Sequence, residues 1–268
     1  MKFSLRFQYL PLLVFGLLVY LVALVLSFPA ERAYSHWKAS ANASRALALS
    51  GITGSVWSGK AGMAVIQGQS LENVEWTLRP WPLLFGQVGL RWRFQLPDVQ
   101  GERGYGQGTT ALGLDGSVDI DQLEARLPAA WLAAVANAAV VRPSGSVSAH
   151  LTGLRWDGKS LTSAEGKVAW HGAGVNIFKP VELGDLSLSL ETADATVKGV
   201  LSDGGGPLSL DGLLTLTPDG RYEFNGSLAA RNAPELENAL RSMGRPGADG
   251  RIKLNRAGSL ASLGLPRR

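Results

Sequence analysis

Beyond Gly51 the hydrophobic positions recur at every second residue. Val88, Leu90, Trp92, Phe94 and Leu96 alternate with Gly89, Arg91, Arg93 and Gln95, which predicts a strand with one apolar and one wet face. Leu186, Leu188 and Leu190 alternate with Ser187 and Ser189. Leu208, Leu210, Leu214 and Leu216 share a face with Gly212, and Tyr222, Phe224, Leu228 and Ala230 repeat the pattern with Gly226 on the apolar side. One-sided alternation predicts antiparallel pairing, because strands of a parallel sheet are covered on both faces and read as continuously apolar. Asp115-Gly116, Asp157-Gly158, Asp203-Gly204 and Asp219-Gly220 supply turn chemistry, with Pro218-Asp219-Gly220 the clearest hairpin signal. Asp211-Gly212 falls inside an alternating run and predicts a bulge or bend.

Helical signals flank and interrupt the strands. Residues 29–49 predict a stalk, with Pro29 in the first turn and no Gly before Gly51. Leu127 to Val140, opening on Pro128, sets Trp131, Leu132 and Val135 on one side. Ala233 to Met243, opening on Pro234 and closing at Gly244, places Leu236, Leu240 and Met243 on one stripe. Each of these two short helices is expected to cap or plug an end of the sheet.

The stretch Phe7–Ala30 carries no formal charge, and roughly 20 apolar residues suffice to cross a hydrocarbon core. Leu10, Leu13, Leu17, Leu21, Leu24 and Phe28 are its predicted anchor residues. Lys2 and Arg6 precede it and Glu31 follows, so the N-terminus is expected in the cytoplasm and the bulk outside. A cleaved signal peptide fits less well, since its apolar region is shorter and Phe28-Pro29-Ala30 puts a bulky side chain where a small one is needed. The expected organisation is a cytoplasmic tip at 1–6, a transmembrane anchor at 7–30, a helical stalk at 31–50, a periplasmic β domain at 51–256 and a basic tail at 257–268.

Cysteine is absent, which removes disulfides and thiolate chemistry, and His36, His150 and His171 show no metal-ligand spacing. The net charge of +4 is concentrated near the end of the chain, where Arg241, Arg245, Arg251, Lys253, Arg256, Arg267 and Arg268 face only Asp249. A solvated end explains this balance more simply than an acidic partner or anionic headgroups, and a nearly neutral exported domain argues against nucleic acid. Gly104-Tyr105-Gly106-Gln107-Gly108 lacks the Lys-Ser/Thr ending of a phosphate loop and is expected to be a flexible turn. Scattered serines with no nucleophile-elbow pentapeptide predict no Ser–His–Asp site, and no catalytic, metal or cofactor residues are assigned. Trp37, Trp57, Trp76, Trp81 and Trp92 cluster early in the chain. Trp92 belongs to the apolar face, and Trp37 suits the headgroup level. Trp57, Trp81 and Phe85 are the candidate protein-interaction residues, with Trp81 foremost because flanking Pro80 and Pro82 exclude a regular central strand.

Gly51-Ile52-Thr53-Gly54-Ser55-Val56-Trp57-Ser58-Gly59, the Leu78–Gly86 segment, Gly166-Lys167-Val168-Ala169-Trp170, Gly204-Gly205-Gly206-Pro207-Leu208-Ser209-Leu210-Asp211-Gly212 and the Pro234–Gly244 helix occur in the order seen in one family. On these blocks the chain resembles the type II secretion system protein N family. The resemblance implies a non-enzymatic accessory component of the bacterial inner membrane, supporting export of folded proteins from the periplasm across the outer membrane. Its implied neighbours are the inner-membrane platform proteins. A second likeness, to AsmA-like envelope proteins, implies an alternative: a β-sheet curled into a half-pipe or open barrel whose apolar trough binds or moves lipid.

Overall fold

The computed structural model describes residues 15–17, 20, 27–40, 47–98, 103–136, 142–176 and 180–259. Its frame is one 13-stranded sheet in which each strand pairs antiparallel with its neighbour in sequence. The strands are β1 (Leu47–Gly54), β2 (Ser58–Ile66), β3 (Gln69–Arg79), β4 (Gln87–Gln95), β5 (Tyr105–Gly113), β6 (Val118–Pro128) and β7 (Arg142–Trp156). They continue with β8 (Leu161–Asn176), β9 (Pro180–Ala193), β10 (Thr196–Asp203), β11 (Leu208–Leu216), β12 (Arg221–Ala230) and β13 (Ile252–Ser259). The described parts of β1 and β13 do not pair with each other, so the sheet is not closed into a barrel. Helices α1 (Ala30–Ser40), α2 (Ala129–Val135) and α3 (Pro234–Met243) complete the fold, with a 3-10 turn at Trp81–Phe85. The mainly β, antiparallel reading therefore holds.

The helical reading of residues 29–49 is corrected at its end, since Leu47 already opens β1. Leu47 and Leu49 alternate with Ala48 and Ser50, and this period of two is satisfied by pairing with β2 and by packing on the apolar face. Helix α1 lies along the outer edge of β1. The Leu49 N–H donates to the Tyr34 hydroxyl at 2.9 Å, and Pro29 forms a bridge with Ser55. A side chain thus occupies backbone groups that an edge strand would otherwise offer to another chain.

The sheet rolls toward its apolar face. Ala64, Leu71 and Leu96 form a buried cluster joined by Leu47, Leu49, Phe94, Leu127 and, from α2, Trp131. Laid flat, β1 to β6 would span about 24 Å at the usual strand spacing, too far for one short helix to reach both sides. At the far strands, Leu208, Leu210, Leu228 and Ile252 enclose Leu236 and Leu240 of α3, which are 3% and 7% exposed. A third cluster centres on Ala164, Val197 and Leu216. In a meander the turns alternate between two rims. The connections that carry α2 and α3 share one rim, and the β1–β2, β3–β4, β5–β6, β7–β8, β9–β10 and β11–β12 turns share the other.

Glycine shapes the inner face, and this corrects two expectations. Gly104 to Gly108 is not a flexible turn, because Tyr105 onward is the regular strand β5. Gly106 lies opposite Phe94 and Gly108 opposite Trp92, and a Cβ on either would sit 2.6 Å or 2.8 Å from the ring beside it. Asp211-Gly212 is not a bulge either, since its register with Ser227 and Gly226 is unbroken. Gly212 and Gly226 face each other under the ring of Phe224, which fills the space two side chains would need. The predicted turns at Asp115-Gly116, Asp157-Gly158 and Asp219-Gly220 do join β5–β6, β7–β8 and β11–β12, the last closed by Gly220 N–H to the Thr217 carbonyl at 2.9 Å.

No helix among the described residues is long and apolar enough to cross a membrane. Leu10, Leu13, Leu21 and Leu24 of the expected anchor lie outside the described residues, residues 15–17 and 20 are helical, and Leu17 and Phe28 are exposed. Of the expected Leu127–Val140 helix, Leu127 and Pro128 instead close β6, α2 runs from Ala129 to Val135, and the part beyond Ala136 lies outside the described residues.

Candidate functional site

The rolled apolar face forms a trough. Trp92 and Phe94 stack with ring centroids 5.7 Å apart, and Phe94 reaches Trp131 at 6.4 Å. Trp76, Trp92, Phe94, Leu188 and Leu190 are only half-buried, because away from the helices no second layer covers this face among the described residues. The indole N–H groups are mostly consumed: Trp76 donates to the Val56 carbonyl at 3.0 Å, Trp92 to Thr110 Oγ1 at 3.0 Å and Trp170 to the Ser144 carbonyl at 2.9 Å. The Nε1 of Trp131 is buried and has no acceptor among the described residues. An unmet buried donor costs about 1–3 kcal/mol.

The rim opposite α2 and α3 holds the predicted interaction residues. Trp81 is 71% exposed in the 3-10 turn after β3, and Trp57 is half-buried in the β1–β2 turn, its carbonyl accepting the Leu78 N–H at 2.7 Å. Phe85 belongs to the same 3-10 turn as Trp81, but its side chain lies outside the described residues. Two exposed residues in the neighbouring β5–β6 connection were not legible as a site: Leu112 at the end of β5, and Leu114 in the following turn, at 87% exposure. Their signal was a leucine placed directly before the Asp115-Gly116 turn, where a polar residue is usual.

The outer face is a polar ladder. Lys60 Nζ meets Glu75 Oε1 at 2.7 Å, Arg93 Nε donates to Gln107 Oε1 at 3.2 Å, and Gln107 Nε2 donates to Glu124 Oε2 at 2.8 Å. Gln107 and the Tyr105 hydroxyl, which donates at 3.0 Å, hold the Glu124 carboxyl below its ordinary range. Further along, three strands bring together residues that sequence spacing kept apart. Ser148 Oγ lies 3.1 Å from His171 Nε2, and His171 Nδ1 lies 3.5 Å from Asp185 Oδ2. The Gly172 N–H and His171 hold the Asp185 carboxyl low. This has the order of a catalytic triad without its surroundings. It sits on an open strand face, and Ser148 lies in the ladder between Arg126 and Ala169, so adjacent N–H groups serve the sheet rather than an oxyanion.

A second network ties the segments on either side of α3, at Arg231 and Arg251, to the sheet. Arg231 grips Asp203 with Nη1 at 2.5 Å and Nη2 at 3.2 Å, while the N–H groups of Gly205 and Leu210 each donate to the same carboxylate at 2.9 Å. The guanidinium, then these backbone donors, lower the Asp203 pKa to about 2. Ser209 Oγ accepts from both Arg231 and Arg251, and Arg251 also binds Asp211 and Ser227. The basic end expected to be merely solvated therefore includes one structural arginine.

A family model described as "Type II secretion system (T2SS), protein N" matches residues 45–255. The chain belongs to this family. The matched region opens just before β1 and closes inside β13, so it coincides with the sheet. The chain is 25% identical over 252 residues to type II secretion system protein N of Aeromonas hydrophila, covering 91% of this chain and 96% of that protein. It is 30% identical over 225 residues to the protein of the same name from Vibrio cholerae serotype O1, covering 80% and 85%. No solved structure matches it.

Proposed function

We propose that this chain is a non-enzymatic accessory component of the type II secretion system. It is held in the inner membrane by residues 7–30, with the sheet in the periplasm and the inner-membrane platform proteins as its neighbours. There it supports export of folded proteins across the outer membrane. The observation that carries this reading is the family match that spans the sheet. Deleting the gene in the source bacterium should lower secretion of type II substrates. Unchanged secretion accompanied by an envelope-permeability defect would refute it.

A second reading has its own support. The trough between the helices is lined by half-buried Trp76, Trp92, Phe94, Leu188 and Leu190, an apolar surface of the kind that acyl chains cover. On this reading the protein binds or moves lipid. Native mass spectrometry of the gently extracted protein should show co-purifying lipid, and lipid-free protein with an unchanged fold would refute it.

A further inference from the structure

Exposed apolar residues lie in or next to the β3–β4 and β5–β6 turns, two neighbouring turns of the rim opposite α2 and α3. Trp81, Leu83, Leu112 and Leu114 are 71%, 44%, 44% and 87% exposed. Leu83 N–H bonds the Pro80 carbonyl at 3.1 Å and Gly86 N–H bonds the Leu83 carbonyl at 3.2 Å, which fixes the 3-10 turn. Gly86 caps that turn in the left-handed region at φ 71°, and its carbonyl accepts the Leu114 N–H at 3.1 Å. Leu112 sits opposite Val88 on β4. Two turns are thus tied into one rigid apolar prominence, where a soluble surface would place polar side chains.

The N-terminal segment meets the fold at this same rim. Val56 N–H donates to the Phe28 carbonyl at 3.1 Å, Pro29 bridges Ser55, and the Leu78 N–H to Trp57 carbonyl bond links that turn to the end of β3. The uncharged run Phe7–Ala30 therefore joins the sheet beside the prominence. The rest of the rim is different: Asp157, Asp194 and Asp219 occupy the β7–β8, β9–β10 and β11–β12 turns, so the apolar sector is confined to the strands nearest the entry point.

We propose that this sector, Trp81, Leu83, Leu112 and Leu114, docks into the headgroup–acyl boundary of the bilayer that holds residues 7–30, and so turns the mouth of the trough toward lipid. The proposal rests on the anchor reading. A tryptophan at the tip suits the interface, where an apolar ring with one N–H donor partitions favourably, and exposed leucines add acyl contact. A protein partner would need a matching groove, whereas a bilayer needs only that the sector and the entry point lie side by side, as they do.

The cysteine-free chain allows a direct test. Full-length protein carrying Leu114→Cys, Leu17→Cys or Lys253→Cys is labelled with an environment-sensitive fluorophore and reconstituted in phosphatidylethanolamine–phosphatidylglycerol vesicles. Lipids with a quencher on the upper acyl chain are then added. Lys253 is exposed near the opposite rim and reports the background. The expected result is quenching at positions 17 and 114 several-fold above that at 253. Quenching at 17 but only background at 114 overturns the docking and leaves the anchor standing; background at 17 overturns the anchor and the docking with it. A blue-shifted but unquenched probe at 114 means that a protein surface, a second copy included, covers the sector, and also overturns the proposal.

Discussion

Replacing Asp203 by Asn removes the charge on which Arg231 and two backbone N–H groups converge, while keeping the side chain's size. The wild-type carboxyl titrates at about 2 rather than the ordinary 3.8, with the Arg231 bond as the largest cause. Taken at face value that difference corresponds to ~2.4 kcal/mol. The Arg231 side chain is 43% exposed, so solvent screening reduces the expected loss to about 1–2 kcal/mol. For a chain of this size the melting temperature at neutral pH should fall by roughly 2–8 °C, read by circular dichroism on detergent-solubilised full-length protein. The sign of the pH dependence is fixed, because a depressed carboxyl pKa stabilises the fold above the unfolded value of 3.8 and ceases to do so as pH falls through about 2. The gap between wild type and Asp203→Asn should be full at neutral pH and narrow across that window. A gap that stays constant down to about pH 2, or no gap at neutral pH, refutes the assignment of this stability to the carboxylate.

Three other perturbations separate the faces of the sheet. Leu90→Asp places an unpaired carboxylate on the apolar face and should cost several kcal/mol, leaving aggregated or unfolded protein on gel filtration, whereas Arg91→Asp on the wet face should change stability by about 0.5 kcal/mol or less. Gly106→Val drives a side chain into the Phe94 ring and should destabilise by about 1–3 kcal/mol in urea titration, with Thr109→Val on the outer face as a mild control. Leu236→Ala removes a side chain 3% exposed beneath α3 and should cost about 2–5 kcal/mol by thermal melting.

Alternation made the sheet legible. The period of two from Val88 to Leu96 and from Leu208 to Leu216 maps onto β4 and β11, where most side chains go to core or water as their polarity dictates, the buried Ser209 and the exposed Leu213 excepted. What escaped was the role of glycine. A local reading assigns Gly104–Gly108 to a loop, because the rings that lie over these residues belong to a strand earlier in sequence. The site was legible only in part for a similar reason. Trp81 declared itself through its flanking prolines, but Leu114 is joined to the turn that carries Trp81 only through a hydrogen bond to Gly86. Ser148, His171 and Asp185 likewise meet only because three strands lie side by side, at a point where the β8–β9 register shifts between Trp170 and Ala173.

The strictly nearest-neighbour strand order has a consequence for how the molecule is made. Every ladder closes between segments adjacent in the chain, so no pairing waits for a distant partner and loop-closure entropy stays small at each step. A polypeptide emerging from a pore N-terminus first can zip each new hairpin onto the one before it, leaving a single growing edge unpaired at any moment. The same architecture lets a lineage lengthen or shorten the assembly by one hairpin without rethreading the rest.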